Sequence, residues 1–368
     1  MRPTLLAVVV FLLLICKTQA QKRDTYLQAD YFYGNILSST PDEAVLLQGH
    51  PTGVFLSYNF KNYGQEAWHE RYNYPDAGIS FGYQNFHSDI LEQVYAVYGH
   101  YNFYFTNRLS ANQLIFRTGI GIAYATNPYN KVTNNKNTAF GSHINSSTYF
   151  KLYYQRENLI ENLGVTAGLS FIHTSNSNIK SPNSGANIWA ATVGMTYNLD
   201  PSDEGPSLIP SDESKYFKEP IKFNFSIRGG VNESSIIGTG VKPFFVFSAY
   251  VDKRLNRVSA IQLGTDVYIT PAIKDFYDVN QSIPHSDYGE VSNFTRIGLF
   301  AGHELFLGNL SIEGQIGYYA VYPFEYDGRI YETLGLKRYF GDTWFASIRL
   351  KAHGANAETV EFGVGIRI

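Results

Sequence analysis

The chain has almost no cysteine: Cys16 is the one cysteine among 368 residues. Because Cys16 lies inside an apolar N-terminal run, we expect a mature chain without thiols, which excludes a disulfide framework and a cysteine-based metal site. Beyond that run, no stretch reaches the ~18 consecutive apolar residues that a membrane helix needs. The formal net charge is only −3, so the chain has no basic footprint for nucleic acid.

The N-terminus has the pattern of a secretory signal. Arg2 supplies a positive start, Leu5–Ile15 is an apolar run too short to act as an anchor, and Thr18-Gln19-Ala20 fits a small-residue cleavage site. We predict a signal peptide over residues 1–20 and a mature chain that begins near Gln21. Lipid modification at Cys16 is the alternative, which the bulky residue before it disfavours.

Aromatic residues and glycine are abundant where cysteine and methionine are scarce. The chain contains 29 Tyr, 26 Phe and 32 Gly, and aromatic residues make up 16% of it. Enrichment in Tyr and Phe, together with many short segments of alternating polarity, is typical of a membrane barrel with aromatic girdles.

Alternation of apolar and polar residues is the dominant pattern along the chain. It is clear in four segments, Ile221–Arg228, Leu310–Ala320, Trp344–His353 and Val360–Ile368. A soluble sandwich turns its apolar faces inward, whereas an outer-membrane barrel turns them to lipid. The long strands favour the barrel, and about sixteen segments have the alternation expected of a barrel strand. We predict an all-β, antiparallel, transmembrane β-barrel of roughly 12–16 strands in the bacterial outer membrane.

One segment interrupts the alternation. Asp200–Pro220 is rich in proline, serine and acidic residues and divides the strands into two similar halves. We assign residues 21–199 to a first barrel segment, 200–219 to a long loop or linker, and 220–368 to the remaining strands. We predict one continuous barrel. Inside it we expect His353 and salt bridges formed by Glu313, Arg349, Glu361 and Arg367.

The candidate chemistry lies at the end of the strand Leu163–Ser175. Residues i and i+2 of a strand share a face, so His173 and Ser175 are neighbours on the face that otherwise meets lipid. Polar groups there cost desolvation energy unless they lie near the headgroups and bond to each other. A histidine in reach of a serine can take its proton and make it a nucleophile. Spacing alone also fits two interfacial polar residues.

Three further residues are candidates for the same site. The loop 176–186 predicts a hairpin, which returns Asn187 to the His173–Ser175 end of the outer face. Asn187 would fix the histidine tautomer, as a third triad member does. Asn176 could supply an oxyanion donor through its side chain or main chain. His143 could position substrate, although an interior position is the favoured interpretation.

The run His173-Thr174-Ser175-Asn176, followed by Pro182-Asn183-Ser184-Gly185, resembles the signature of the lipid A 3-O-deacylase family. Two other stretches, 141–145 and 350–363, resemble larger members called acyloxyacyl hydrolases. The resemblance implies an outer-membrane barrel that releases an ester-linked 3-hydroxyacyl chain from lipid A of the outer leaflet. It also implies His173 as general base, Ser175 as nucleophile and Asn176 as oxyanion contributor. We expect no cofactor and no metal, because the sequence has no phosphate-binding loop, dinucleotide fingerprint or zinc pattern.

The third catalytic position departs from that family. A glutamate is expected fourteen residues after the histidine, and this chain has Asn187 there. Outer-membrane phospholipase A also has a His-x-Ser-Asn motif, with an asparagine as third member at this spacing, but it requires calcium in a dimer. A phospholipase A-like enzyme therefore stays the first alternative. A non-catalytic pore or structural barrel is the second.

Overall fold

The computed structural model describes residues 24–37, 46, 48–199, 207–213, 216–284, 293–354 and 356–368. The predicted signal peptide, with Cys16, lies outside these residues. Sixteen antiparallel strands account for most of the described chain. This confirms the all-β class and the upper end of the predicted strand number.

The first eight strands close into one barrel. Closure comes from pairing of the first strand with the eighth, in a register that runs from Tyr26 opposite Asn198 to Leu37 opposite Asn187. The strands are β1 (Thr25–Leu37), β2 (Thr52–Phe60), β3 (Asp76–Asn85), β4 (Gln93–Tyr104), β5 (Asn112–Ala125), β6 (Ile144–Ile160), β7 (Leu163–Ser175) and β8 (Ala186–Asn198).

The second eight strands close into another barrel. Here the last strand pairs with the ninth, from Phe362 opposite Gly229 to Arg367 opposite Asn224. The strands are β9 (Lys222–Asn232), β10 (Lys242–Asn256), β11 (Ser259–Ile269), β12 (Thr295–Leu307), β13 (Leu310–Val321), β14 (Ile330–Phe340), β15 (Trp344–His353) and β16 (Asn356–Arg367).

The expectation of one continuous barrel is therefore wrong. Strand β8 pairs with β7 on one side and with β1 on the other along nearly its whole length, so it has no free edge for β9. Closing a sheet satisfies its edge hydrogen bonds, and eight strands are enough to do so. Residues 199–221 connect the two closed barrels.

Both barrels have an apolar exterior and a polar interior. Leu56, Val97 and Val193 are exposed on the first barrel, whereas Arg117 is fully buried inside it. In an eight-stranded barrel side chains fill the interior, and an apolar outer wall of this kind faces lipid. The two barrels thus have the construction of membrane-spanning barrels.

Ion pairs fill the second barrel, as the sequence predicts. Arg349 pairs with Glu313 at 2.5 Å, and the guanidinium of Arg228 pairs with Glu361 at 2.6 Å. Arg367 pairs with a buried aspartate at 2.8 Å. His353 is also buried and lies 2.8 Å from a glutamate oxygen, which confirms its interior position. This interior resembles a packed core more than a channel.

Among the described residues, two short helices lie in the connections between strands: α1 (Ala67–Arg71) joins β2 to β3, and α2 (Ala272–Gln281) joins β11 to β12. Neither helix is long and apolar enough to span a membrane, within the part of the chain that the structure describes.

The barrels lie side by side and touch at both ends. We call the end that carries the connections β1–β2, β3–β4, β5–β6 and β7–β8 the upper end, and the opposite one the lower end. At the lower end, the hydroxyl of Tyr72 donates to the carbonyl oxygen of Phe306 at 2.9 Å, and Gly308 lies against the Trp68 ring. At the upper end, the β7–β8 loop meets the β9–β10 loop.

Candidate active site

The last outward residues of β7 are His173 and Ser175. Leu169 and Phe171 precede them on the same face and belong to the lipid-facing wall. Leu169 is 60% exposed. His173 is half-buried, whereas Ser175 is only 3% exposed. The period-2 geometry of the strand thus brings a histidine and a serine together at the upper margin of an apolar surface.

The neighbouring strand supplies the third side chain. In the register of β7 with β8, His173 lies directly opposite Asn187. The His173 Nδ1 atom is 2.7 Å from Asn187 Oδ1, and its Nε2 atom is 3.0 Å from Ser175 Oγ. Both distances are those of ordinary hydrogen bonds. The structure therefore brings the predicted Ser175, His173 and Asn187 into one hydrogen-bonded line.

This geometry selects one tautomer of the neutral histidine. An amide oxygen can only accept, so the Asn187 contact requires a hydrogen on His173 Nδ1. In the neutral ring, Nε2 then carries the lone pair and faces the Ser175 hydroxyl. That is the arrangement in which a histidine can take the proton of a serine that attacks a carbonyl carbon.

The loop after β7 folds back over the pair. Ser177 and Asn178 both have left-handed φ angles, of 54° and 61°, which turn the chain sharply after the serine. Gly185, at φ 72°, closes the loop. A Cβ on Gly185 would lie 3.1 Å from the Ser175 Cβ and 3.2 Å from the His173 Cε1. Because these contacts are tight and the φ angle is positive, a side chain at this position would be strained.

The β5–β6 connection, which lies at the same end of the barrel, binds that loop. The backbone N–H of Ser184 donates to Thr138 O at 3.0 Å, and that of Gly185 donates to Ala139 O at 3.1 Å. On the other side, the Ser146 hydroxyl donates to the carbonyl oxygen of Ser175 at 3.0 Å. Ser146 thus holds the backbone of Ser175 directly, and the β5–β6 connection holds the end of the loop that lies against it.

The donors of Asn176 are engaged within the loop. Its backbone N–H donates to Asn183 Oδ1 at 2.7 Å, and its side-chain amide donates to Lys180 O at 2.7 Å. These bonds make Asn176 a loop-forming residue next to Ser175. Its role as an oxyanion donor stays a prediction.

His143 does not point into the barrel as the favoured interpretation had it. Its side chain is exposed, stacks on the Tyr124 ring at 5.2 Å and lies 2.8 Å from the carbonyl oxygen of Ala125. His143 directly precedes β6, so the alternation of faces along a strand does not fix its direction. Its contribution to substrate binding stays a prediction.

Sequence reasoning missed two residues that shape the site. Asn183 holds the backbone beside the nucleophile, and the Pro182–Gly185 turn contained the signal for it. Glu233, from the second barrel, accepts from the backbone N–H of Ser181 at 2.9 Å. No local pattern marks Glu233, because its partner lies 52 residues away in another barrel.

No group of three or more His, Cys, Asp or Glu side chains that could hold a metal ion occurs among residues 24–37, 46, 48–199, 207–213, 216–284, 293–354 and 356–368. The candidate triad is built from hydroxyl, imidazole and amide groups.

Family models match both halves of the chain. Residues 52–196 match the model described as lipid A 3-O-deacylase (PagL), and residues 221–368 match the model described as acyloxyacyl hydrolase, C-terminal domain. The first match contains the whole candidate triad, and the second covers the second barrel. A search of the curated proteins found no significant match.

Several solved structures of bacterial outer-membrane proteins align with the chain. Neisserial surface protein A has 12% identity over 48% of this chain and 97% of its own, with a TM-score of 0.30. The Acinetobacter baumannii outer membrane protein Omp33 has 8% identity over 95% and 100%, with a TM-score of 0.19. A Rhodopseudomonas blastica porin mutant has 8% identity over 94% and 99%, with a TM-score of 0.17.

Proposed function

Because the chain belongs to the lipid A 3-O-deacylase family, we propose that it is an outer-membrane serine esterase that removes an ester-linked 3-hydroxyacyl chain from lipid A. The observation that carries the proposal is the hydrogen-bonded line from Asn187 through His173 to Ser175, on the outer wall of a membrane barrel. Lipid A or lipopolysaccharide of the outer leaflet would reach this wall by lateral diffusion, without leaving the membrane.

The reaction follows from the three side chains. Ser175 Oγ attacks the ester carbonyl carbon while its proton passes to His173 Nε2. The tetrahedral intermediate collapses, the carbon–oxygen bond to the sugar breaks, and the leaving alkoxide takes the proton from the imidazolium. Water then attacks the acyl-serine with His173 again as base, which releases the fatty acid and restores Ser175.

An aromatic pair supports an approach of the acyl chain along the wall. Phe171 and Trp189 lie opposite each other in the register, one outward position below His173 and Asn187. Their ring centroids are 5.2 Å apart, and Trp189 is 49% exposed. An acyl chain lying on these rings would carry its ester bond to the level of Ser175.

Asn187 sets this chain apart from the glutamate expected at this position. A carboxylate both orients the imidazole and stabilises its cation, whereas an amide oxygen orients it with a dipole alone. The 2.7 Å contact supports an orienting role. Because the resemblance to phospholipase A rests on Asn187, a phospholipid substrate stays the alternative.

Substitutions of Asn187 should separate orientation from charge. We expect Asn187→Ala to lower kcat on the order of 10- to 100-fold, since the ring loses its fixed tautomer and direction. Asn187→Glu keeps an acceptor oxygen and adds a charge, so we expect at least the wild-type kcat. Steady-state kinetics on purified lipid A measure both. A glutamate variant as slow as the alanine variant would contradict the orienting role.

The substrate class is tested by mass spectrometry after incubation of the detergent-folded protein with purified lipid A or with diacyl phospholipid. We expect lipid A to lose one hydroxyacyl mass, with or without a calcium chelator, and phospholipid to be unchanged. Calcium-dependent loss of an acyl chain from phospholipid, with lipid A intact, would instead establish the phospholipase alternative.

A further inference from the structure

The β7–β8 loop is held by a buried carboxylate of the second barrel. Glu233 follows β9 directly and is only 3% exposed. Its Oε2 atom accepts from the backbone N–H of Ser181 at 2.9 Å, while Oε1 accepts from Gly238 and Gly240 of its own loop at 3.1 and 2.8 Å. The carboxylate thus fixes the β9–β10 loop and the active-site loop to each other.

The contact continues on both sides of Glu233. The Ser181 hydroxyl donates to the carbonyl oxygen of Ser234 at 2.6 Å. The Asn178 side-chain amide donates to the carbonyl oxygen of Glu233 at 3.2 Å, and the Glu233 N–H donates to the carbonyl oxygen of Asn178 at 3.2 Å. Two loops joined by bonds in both directions have a fixed relative position.

A short path of bonds leads from Glu233 to the nucleophile. Two residues after Ser181, the Asn183 side chain accepts from the N–H of Asn176 at 2.7 Å, and Asn176 is bonded covalently to Ser175. The same loop ends at Gly185, which lies against Ser175 and His173. A shift of Ser181 would therefore move the chain on both sides of the catalytic pair.

We propose that Glu233 is a positioning residue for the deacylase site, so that the second barrel completes a catalytic centre whose reacting groups all lie in the first. The inference rests on the proposed function. A carboxylate suits the role because it has only acceptors, and here three backbone N–H groups converge on it. An amide would offer one oxygen and turn its NH₂ group toward donors.

The variant Glu233→Gln tests this role, with Tyr72→Phe as a matched control. Tyr72→Phe also removes one hydrogen bond between the barrels, but at the lower end, remote from Ser175. A role limited to holding the barrels together predicts similar effects from the two variants. A positioning role predicts a loss of kcat in Glu233→Gln alone.

The measurements are kcat and KM on purified lipid A, and the rate at which a short-chain fluorophosphonate labels Ser175, with heat-shifted gel mobility to verify folding. We expect Glu233→Gln to lower kcat and the labelling rate about tenfold or more, with KM within about twofold of wild type. We expect Tyr72→Phe to leave all three within about twofold. Ser181→Ala removes the hydroxyl that donates to Ser234 and to Asn178. It probes the same contact should Glu233→Gln fail to fold, and we expect it to lower kcat about threefold.

An active wild type with unchanged kcat and labelling in Glu233→Gln would overturn the inference and leave the proposed function intact. If Glu233→Gln does not fold, an unchanged kcat in Ser181→Ala would overturn it equally. A folded wild type that neither hydrolyses lipid A nor labels at Ser175 would overturn the proposed function and, with it, this inference.

Discussion

Replacement of Ser175 with alanine is expected to abolish hydroxyacyl release from lipid A while both barrels stay folded. Ser175 supplies the oxygen that bonds to the acyl carbon, and no other hydroxyl contacts His173 Nε2 among the hydrogen bonds of the described residues. In serine hydrolases the loss of the nucleophile lowers kcat by on the order of 10⁴-fold or more. The rate of fatty acid release, measured by mass spectrometry, gives the size of the effect.

A serine elsewhere in the fold provides the matched control. Ser347 is buried in β15, and its hydroxyl has no hydrogen-bond partner in the described structure. We expect Ser347→Ala to retain the wild-type rate. If a folded Ser175→Ala variant kept full activity, Ser175 would not be the nucleophile. If wild type and variant were equally inactive, the non-catalytic barrel would be favoured.

Replacement of His173 with glutamine is expected to reduce kcat nearly as strongly as the loss of Ser175. Glutamine can bond to the hydroxyl but cannot take its proton, so the serine stays a weak nucleophile at neutral pH. Members of a triad act as one unit, and the double variant should be no slower than the slower of the two single variants. Kinetics of the three variants on lipid A measure this directly.

His303 offers a control for the loss of an imidazole. It lies on the exterior of the second barrel, with its Nε2 atom 2.6 Å from Ser259 Oγ. We expect His303→Gln to retain the wild-type rate. Additive losses in the double variant of Ser175 and His173 would show that the two side chains act separately and would contradict the triad.

The site could be predicted from the sequence because it depends on local rules. Alternation along β7 puts His173 and Ser175 on one outward face, and a hairpin of known direction brings Asn187 beside them. The structure has all three within hydrogen-bond reach. The register of paired strands fixes which residues are neighbours. A correct register is therefore sufficient to predict that these three side chains lie together.

The closure of the barrels could not be predicted in the same way. Alternation of apolar and polar residues indicates that a strand has one lipid-facing side. It does not indicate which strand pairs with the first strand to close a barrel. Pairing of β8 with β1, rather than with β9, is a contact between residues more than 150 positions apart, such as Tyr26 and Asn198. The same holds for Glu233 and Ser181, which meet only because two closed barrels lie side by side.

The loop over the site was beyond sequence reasoning for a different reason. The backbone N–H and the side-chain amide of Asn176 donate to Asn183 and Lys180, and no sequence pattern predicts these loop contacts. His143 was expected in the interior, but it precedes β6 and stacks on the exposed ring of Tyr124. Alternation applies only where the ladder is regular, and side chains in loops are placed by contacts that have no period.

The most direct test of the account is to locate the nucleophile with a probe that mimics the covalent intermediate. A fluorophosphonate with an alkyl tail reacts with an activated serine, which displaces fluoride and leaves a stable adduct that peptide mass spectrometry can assign. We predict one adduct, on Ser175, in the wild-type protein, and none in the His173→Gln variant. An adduct on another residue, or unmodified Ser175 in a preparation that deacylates lipid A, would contradict the mechanism.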